Sequence, residues 1–191
     1  MKITGIIFLL FGLAATVSAQ QVKHDTLLIQ QIDTMFKNDQ LWRKEMMKKE
    51  STYSQDAIEK RMAQADSINA LKAKAIISKY GYPGYSLVGE RSNDFWAIVQ
   101  HCDDDIPFQE GVLALMKKEI ARNNASKENY AYLLDRVLVN KHQKQIYGTQ
   151  VRVDPKTHVA KPFPLKYPKT VDALRKKMEM QPLAEYMKNF Q

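Results

Sequence analysis

Apolar residues recur at helical spacing along the first long segment of the chain, and this pattern limits the protein to a mainly helical fold. Over residues 25–50 the repeating apolar positions are Leu28, Ile32, Met35, Trp42 and Met46. Such a stripe is typical of an amphipathic helix that buries one face. A second helix is expected from Thr52 or Ser54, either of which can cap it, to Tyr80, where Gly81 favours a left-handed stop. Together they predict a helical hairpin.

Three further helices are expected in the middle of the chain. The tripeptide at positions 92–94, Ser-Asn-Asp, can cap a third helix over residues 95–103, and a proline can open a fourth over residues 107–123. Ser126 can cap a fifth helix over residues 128–141. Because that fifth segment is apolar on almost every side, we expect it to be central in the fold.

The pattern changes after residue 146 to that of two short strands. Residues 147–153 and 158–165 are predicted to pair as a hairpin with an Asp-Pro turn between them. A last helix is expected over residues 170–190, with a bend at Pro182. The predicted fold is therefore mainly α: a bundle of about six helices with a small two-stranded β-hairpin before the C-terminal helix.

The first 19 residues have the pattern of a secretory signal peptide. A lysine precedes an apolar run over residues 3–15, and small residues follow up to position 19. The run is shorter than the roughly 17 to 25 residues that a membrane-crossing helix needs. We therefore expect cleavage before Gln20 and no membrane span afterwards. The mature chain, residues 20–191, is predicted to be one globular domain that is exported to the periplasm or secreted.

The formal net charge of +8 bears on partners rather than on fold. In a cell envelope the available polyanions are phospholipid and cell-wall polymers, so the predicted partner is a small ligand or an envelope component, and not nucleic acid. The basic residues occur in short clusters such as Arg175-Lys176-Lys177. Such clusters are typical of solvated helix ends.

Cys102 is the single cysteine of the chain, which excludes an internal disulfide and a multi-cysteine zinc site. A catalytic thiol is the alternative, because His101 is its neighbour. Adjacent helical residues point about 100° apart, however, and do not face each other. We therefore predict that the thiol is not a nucleophile, and no cofactor is predicted.

Polar residues interrupt the apolar face of each of the first five predicted helices. They are Asp39 and Arg43, Asn69, His101 followed by Asp104, Gln109, and Asp135 with Arg136. A buried polar group without a partner costs about 1 to 3 kcal/mol, so a small domain rarely collects several unless they share one network or one wet cavity. We expect a shared polar cavity here, with a purely structural network as the alternative.

The same residues belong to a set of motifs. The motifs are Asp39-Gln40-x-x-Arg43, Asp66-x-x-Asn69, Tyr80-Gly81-Tyr82-Pro83, Gln100-His101-x-x-Asp104, Asp135-Arg136, Gln145-x-Tyr147-Gly148-Thr149-Gln150 and Pro182-Leu183-Ala184-Glu185-Tyr186. The set resembles the signature of a bacterial domain-of-unknown-function family whose members are often exported. This resemblance covers most of the mature chain and implies a fold and recurring polar positions, but no reaction. Tyr82 stands where the family often has Trp, and Cys102 where a small residue is common, which further weakens a catalytic role for the thiol.

The first functional hypothesis is an envelope hydrolase or lyase. His101 would be the general acid or base, oriented by Asp104 or Asp39, and Arg43, Arg136 or Gln150 would bind an anionic or amide-bearing substrate. No Gly-x-Ser-x-Gly elbow, His-Glu-x-x-His helix or phosphate-binding glycine loop is present. A metal site built on one histidine has little support, so no metal is predicted.

The second hypothesis is a non-catalytic binding module, in which the polar cavity binds a small ligand or peptide and the hairpin offers an edge strand. The candidate binding residues are Arg43, Asn69, Gln109, Asp135, Arg136, Gln145, Tyr147 and Gln150. A third reading is that the polar set only fixes the register of the helices.

Overall fold

The computed structural model describes residues 24–157 and 159–190, and the predicted signal peptide lies outside them. The described residues form eight α-helices and one antiparallel hairpin. In chain order these are α1 Thr26–Met46, α2 Gln55–Tyr80, α3 Tyr85–Val88, α4 Arg91–Val99, α5 Ile106–Ile120, α6 Lys127–Asn140, β1 Val151–Val153, β2 Ala160–Pro162, α7 Val171–Lys177 and α8 Leu183–Met187, then a 3-10 turn Lys188–Phe190. The mainly helical class with a hairpin before the C-terminal helices is confirmed.

Local capping chemistry sets the ends of the long helices. Ser54 and Ser126 accept hydrogen bonds from backbone N–H groups in the first turns of α2 and α6, as predicted. Asp105 does the same for α5, which has a proline in its first turn. α2 ends at Gly81, whose φ of +72° is the left-handed conformation expected there. These helix ends are therefore encoded within a few residues of sequence.

The region between α2 and α5 differs from its prediction. Positions 92–94 lie inside α4 rather than before it, and the helix ends at Val99 instead of residue 103. The chain reaches α4 through Gly89, whose φ of +58° reverses the backbone just before the helix. The short helix α3 was not predicted. It follows Gly84, which lies so close to Asn124 that a Cβ atom at that position would be 2.3 Å from the Asn124 side chain.

The predicted hairpin is present but much shorter. β1 and β2 pair over three residues each, with Arg152 opposite Lys161. Residues 147–150, predicted as strand, form a loop around Gly148, which has a φ of +75°. The last helix is divided into α7 and α8 rather than bent, because residues 178–182 break the helical hydrogen bonds ahead of the proline at 182.

The apolar core lies between α1, α2, α4, α5 and α6. Leu28, Ile32 and Met35 of the α1 stripe are fully buried, as the helical period predicts. α1 packs against both α2 and α4, while α5 packs against α6. Asp39 continues the same α1 stripe, so the packing places a carboxylate where α1, α2 and the end of α4 meet. In the part of the chain that the structure describes, no helix combines the length and the apolar character needed to cross a bilayer.

Candidate functional site

A buried aspartate and a histidine form a hydrogen-bonded pair at the junction of α1 and α4. Asp39 on α1 is only 1% exposed, and its Oδ1 lies 2.8 Å from Nδ1 of His101, which is in the turn just after α4. The His101 side chain is partly exposed. Because Nδ1 faces a carboxylate, the neutral imidazole that suits this contact has its proton on Nδ1 and its lone pair on Nε2.

Arg43 and Asp66 complete the group around this pair. The Arg43 guanidinium lies 3.1 Å from Asp39 Oδ1 and donates to both carboxylate oxygens of Asp66 on α2, at 2.9 and 3.0 Å. Gln40 donates to Asp39 Oδ2 at 2.8 Å. Both oxygens of Asp39 are therefore bound, and the carboxylate cannot rotate away from His101 without breaking several hydrogen bonds. We call the Asp39–His101 dyad, together with Arg43 and Asp66, the dyad site.

The turn that contains His101 is held in place by a buried side chain of α5. Gln109 on α5 is fully buried, and its Nε2 donates to the backbone carbonyls of Val99 and Gln100 at 3.2 and 3.3 Å. These carbonyls are at the C-terminal end of α4, where helical partners are missing. Gln109, predicted as a binding residue, thus positions the backbone next to His101.

The dyad site opens on a groove of about 500 Å³ between α2 and the turn that connects α4 to α5. Its walls are Ala63, Asp66, Ser67, Ala70 and Lys74 of α2 and residues 101–105. This volume is within the range of small-molecule sites. Lys74 pairs with Asp105 at 2.6 Å across the groove. Burial raises the pKa of the Asp66 carboxyl above its ordinary value, although the charge of Arg43 opposes this effect.

A metal ion is the other occupant that the dyad site suggests. One ligand atom from each of Asp39, Asp66 and His101 lies within 4.8 Å of the others. Two carboxylates and one imidazole suit several divalent ions. Arg43, however, forms ion pairs with both carboxylates, so its positive charge would repel a metal ion and already offsets one of the two negative charges. The donor set therefore fits proton transfer better than a resident metal.

Asp104 does not orient His101. Its side chain is exposed, and among the described residues it makes no hydrogen bond or ion pair with the imidazole. Because α4 ends at Val99, the three-residue spacing between His101 and Asp104 spans a turn rather than a helical face. The neighbouring Asp103 instead binds Arg136, whose Nε donates to it at 2.7 Å, and Asn140. Arg136 is thus occupied by this contact.

A second polar group lies around Asp135 on α6, which is fully buried. Its carboxylate accepts hydrogen bonds from the backbone N–H groups of Ile146, Tyr147 and Thr149 and from the Thr149 hydroxyl, at 2.7 to 3.1 Å. Burial raises the pKa of Asp135, and these donors oppose that effect. The carboxylate therefore fixes the loop of residues 145–150 to α6.

The other predicted residues of this loop are used in the same way. Gln145 donates to the backbone carbonyls of Gln150 and Phe163 and accepts from the Gln150 N–H. The Gln150 side chain donates to Thr149, and the carbonyl of Tyr147 accepts from Arg175 at 2.8 Å. We call Asp135 with residues 145–150 and Arg175 the Asp135 network. No hydrogen bond among the described residues joins it to the dyad site, so the predicted polar residues form at least two separate hydrogen-bonded groups.

Asn69 lies on the buried side of α2, one turn after Asp66. Its Nδ2 donates to the carbonyl of Met35 at 3.0 Å, and its Oδ1 is buried without a partner among the described residues. The residue borders a cavity of about 180 Å³ next to Trp42 and Arg61. The Arg61 guanidinium is stacked 5.0 Å from the centre of the Trp42 ring.

Two important residues were missed by sequence reasoning. Asp66 shares the face of α2 that contains Asn69, three residues later, so its position at helical spacing was a usable signal. Arg175 was interpreted as part of a solvated cluster, but it is 1% exposed and donates to the carbonyls of Tyr147 and Gln181. Lys176 and Lys177 are exposed, as that interpretation predicted. Arg175 lies four residues after Val171 and three before Met178, so the helical period that directs Val171 inward also directs Arg175 inward, and this was a usable signal.

Cys102 lies beside His101 but is buried, with its S–H directed at the carbonyl of Ile98. Burial raises the pKa of this thiol to about 12. A protonated, buried thiol is a poor nucleophile. The structure therefore supports the argument against a catalytic cysteine.

A family model described as a family of unknown function, DUF6624, matches residues 26–191. The chain belongs to this family. Membership in a family of unknown function is what the motifs predicted, and the match extends from α1 to the end of the chain. No curated protein and no solved structure matches the chain. The geometry of the dyad site is therefore the main basis for a functional proposal.

Proposed function

We propose that this DUF6624 protein is an exported acid–base enzyme, a hydrolase or lyase in which His101 transfers a proton to or from its substrate. The observation that supports this most directly is the 2.8 Å contact between His101 Nδ1 and the buried Asp39 carboxylate. In Asp–His pairs of this kind the carboxylate orients the imidazole and stabilises its protonated form. Nε2 is then the atom that exchanges the proton.

The surroundings of the pair favour this role over a purely structural one. Asp39 also contacts Arg43 and Gln40, so it is oriented before any substrate arrives. His101 borders the groove, where a substrate can reach it. Preorganised charges of this kind contribute to catalysis because they need not rearrange as the reaction proceeds. Lys74, on the opposite wall, is paired with Asp105, and it would have to exchange that contact for a substrate oxygen to stabilise negative charge that develops there.

A second candidate function is ligand binding without catalysis. It is favoured by the cavity of about 180 Å³ at Trp42 and Arg61, where the buried Asn69 Oδ1 has no partner among the described residues. An aromatic ring, an arginine and amide groups are suitable for binding a small polar molecule. The two functions separate experimentally, because only the enzyme proposal requires His101.

The test begins with the imidazole, because that measurement needs no substrate. Nitrogen-15 NMR of the purified mature chain at pH 8 is expected to show His101 with its proton on Nδ1. In Asp39→Asn this tautomer preference should be lost, since the amide can also donate. Asp56→Asn removes an exposed carboxylate from α2 and is the matched control. A wild-type His101 with its proton on Nε2 would contradict the proposal.

Turnover is the second measurement. Chromogenic esters, amides, phosphodiesters and glycosides, together with isolated cell-wall polymers, form the substrate panel. For any substrate that is converted, His101→Gln should lower kcat/KM by about 10² to 10⁴, the usual contribution of a general acid or base. His24→Gln, an exposed histidine outside the groove, should leave it unchanged. Equal rates for His101→Gln and wild type would exclude His101 as the catalytic group.

Export is tested separately. The full chain with a C-terminal tag should be recovered from the periplasm or the medium, and its N-terminal sequence should begin at Gln20. Recovery of the uncleaved chain from the cytoplasm would contradict the proposed export. It would not bear on the proposed acid–base chemistry of His101.

A further inference from the structure

The positive charge of the protein is concentrated in its last third. Residues 141–190 contain eleven basic residues (Lys and Arg) but only four acidic ones (Asp and Glu). Residues 24–140 contain sixteen basic and seventeen acidic residues. The hairpin and C-terminal segment therefore have a net charge of +7, and the preceding helices a net charge of −1. A strong asymmetry of this kind favours binding of this part of the molecule to an anionic partner.

The hairpin places two of these charges side by side. Arg152 on β1 is directly opposite Lys161 on β2, and both side chains are exposed. Like charges at directly opposite positions destabilise an antiparallel pair. Neither side chain forms an ion pair with another described residue, and the nearby Asp154 uses its Oδ1 for the backbone N–H groups of its own turn. An anion between the two cations would remove the repulsion.

Further basic residues continue from this pair along one side of the molecule. The Arg152 guanidinium lies 6.0 Å from the centre of the Phe163 ring. Phe163 and Lys144 border one shallow cavity, and Lys144 and Lys166 border the next. Lys144 and Lys166 are exposed. We call Arg152, Lys161, Lys144 and Lys166 the basic strip.

Apolar side chains are exposed beside the basic strip. Val153 is 53% exposed and Val159 48%, and the two lie together at the end of the hairpin, where the Asp154 N–H donates to the Val159 carbonyl. Tyr167 is 45% exposed, with the Lys166 ammonium 5.4 Å from its ring centre. Exposed valines beside lysines have no use in binding phosphate alone, but they can enter the boundary between lipid headgroups and acyl chains.

We propose that the basic strip docks on an anionic phospholipid membrane, with Val153, Val159 and Tyr167 entering the headgroup region. Basic residues near an anionic lipid surface each contribute to binding, and tyrosine favours the membrane–water interface. A single-stranded nucleic acid would match the charge, but beyond its phosphate contacts it gains affinity by stacking bases on aromatic rings, and aliphatic side chains such as Val153 and Val159 would have no role in this. The proposal does not depend on catalysis at His101.

The experiment is co-sedimentation of the purified mature chain with vesicles. Vesicles with 30 mol% phosphatidylglycerol in phosphatidylcholine should bind the protein at 0.1 M salt, and pure phosphatidylcholine vesicles should not. Arg152→Gln with Lys161→Gln should weaken binding by about 25-fold, from roughly fivefold for each basic residue at an anionic surface. Circular dichroism should show these variants folded, since the change removes a repulsive pair.

The matched control is Lys117→Gln with Lys118→Gln, which removes the same charge from exposed positions on α5. It should weaken binding by less than about threefold, because these residues lie outside the basic strip. Equal weakening by both double variants, or no binding to anionic vesicles, would overturn the proposal.

The apolar contribution is tested at constant charge with Val153→Ser and Val159→Ser, which should weaken vesicle binding by about tenfold together. Binding of a single-stranded DNA or heparin should be unaffected by this pair. Two results together would overturn the membrane proposal: DNA or heparin displaces the protein from vesicles at equal charge concentration, and the serine variants bind vesicles as wild type does. The basic strip would then be a general site for polyanions.

Discussion

The dyad site and the Asp135 network are each built around a buried aspartate on the apolar face of a long helix, yet their partners differ in kind. Asp135 is bound by backbone N–H groups and a hydroxyl of one loop. Asp39 is bound by the side chains of Gln40, Arg43 and His101, and the last of these borders a groove. Burial alone therefore does not distinguish the two carboxylates, and the role proposed for Asp39 is based on the identity of its partners.

The largest expected effect is that of Asp135→Ala on stability. The change leaves the N–H groups of Ile146, Tyr147 and Thr149 buried without an acceptor, and each such group costs about 1 to 3 kcal/mol. We expect the free energy of unfolding to fall by about 3 to 5 kcal/mol, measured by urea denaturation. Asp56→Asn, at an exposed site, should change it by less than about 0.5 kcal/mol. A loss below about 1 kcal/mol would mean that the loop does not depend on this carboxylate.

Asp39→Ala should have a smaller effect on stability, about 1 to 2 kcal/mol. Arg43 keeps its bidentate contact with Asp66, so the change does not leave an unpaired buried charge. Urea denaturation of Asp39→Ala and wild type measures this difference in the free energy of unfolding. If Asp39→Ala is as destabilising as Asp135→Ala, the contrast between the two regions disappears and the dyad site is also a structural network.

The helices and their ends were predictable because the information is local. Ser54, Ser126 and Gly81 each act within one turn of their own position, and the apolar period of α1 identified its buried face. The inward direction of Asp39 followed from the same period, and that of Asp135 from its position in a helix that is apolar on almost every side. Their burial was therefore accessible from sequence, although their partners were not.

The errors arose where tertiary contacts determine the backbone. Residues 147–150 have the composition of a strand, but Asp135 binds the N–H groups of Tyr147 and Thr149, so these two groups cannot pair with the second strand. Asp104 was proposed beside His101 because the helix was expected to continue to residue 103. Since α4 ends at Val99, the helical spacing does not apply to that pair. The convergence of Asp66 with Arg43 depends on how α1 and α2 pack, which no local pattern specifies.

Asp103, on the groove wall opposite α2, provides a test by pH. Burial raises the pKa of its carboxyl, but the hydrogen bonds and charge of Arg136 outweigh burial and bring the pKa below its ordinary value. Such a carboxyl stabilises the fold above its unfolded pKa of about 3.9, and this contribution is lost as the pH falls through the lower, folded pKa. Asp103→Asn should therefore be less stable than wild type at pH 6, by about 0.5 to 1 kcal/mol.

The difference between Asp103→Asn and wild type should shrink as the pH falls below the unfolded pKa of about 3.9. Urea midpoints at pH 6, 4 and 3 measure it. A difference that is the same at every pH would show that the variant loses packing or the Asn140 hydrogen bond, and that the charge of Asp103 contributes nothing.

The smallest effect is expected at Cys102. With a pKa of about 12, the thiol is protonated at pH 8 and should react with Ellman's reagent far more slowly than in guanidinium chloride, where one thiol per chain is titrated. His101→Gln should not change this rate, because the sulfur contacts the Ile98 carbonyl rather than the imidazole. Cys102 borders the groove, so rapid labelling of the native protein would show that its thiol is reachable from there and would reopen it as a candidate nucleophile.

The two aspartates also differ in how far along the chain their partners lie. Asp135 and Thr149 are 14 residues apart, whereas Asp39 and His101 are separated by 62. Contacts between distant residues require closure of a longer loop and form late in folding. The loop on Asp135 can therefore assemble early and locally, while the imidazole reaches its carboxylate only when α1, α2 and α4 have docked. The NMR signal of His101 would consequently report the completion of folding, even in a sample with no substrate.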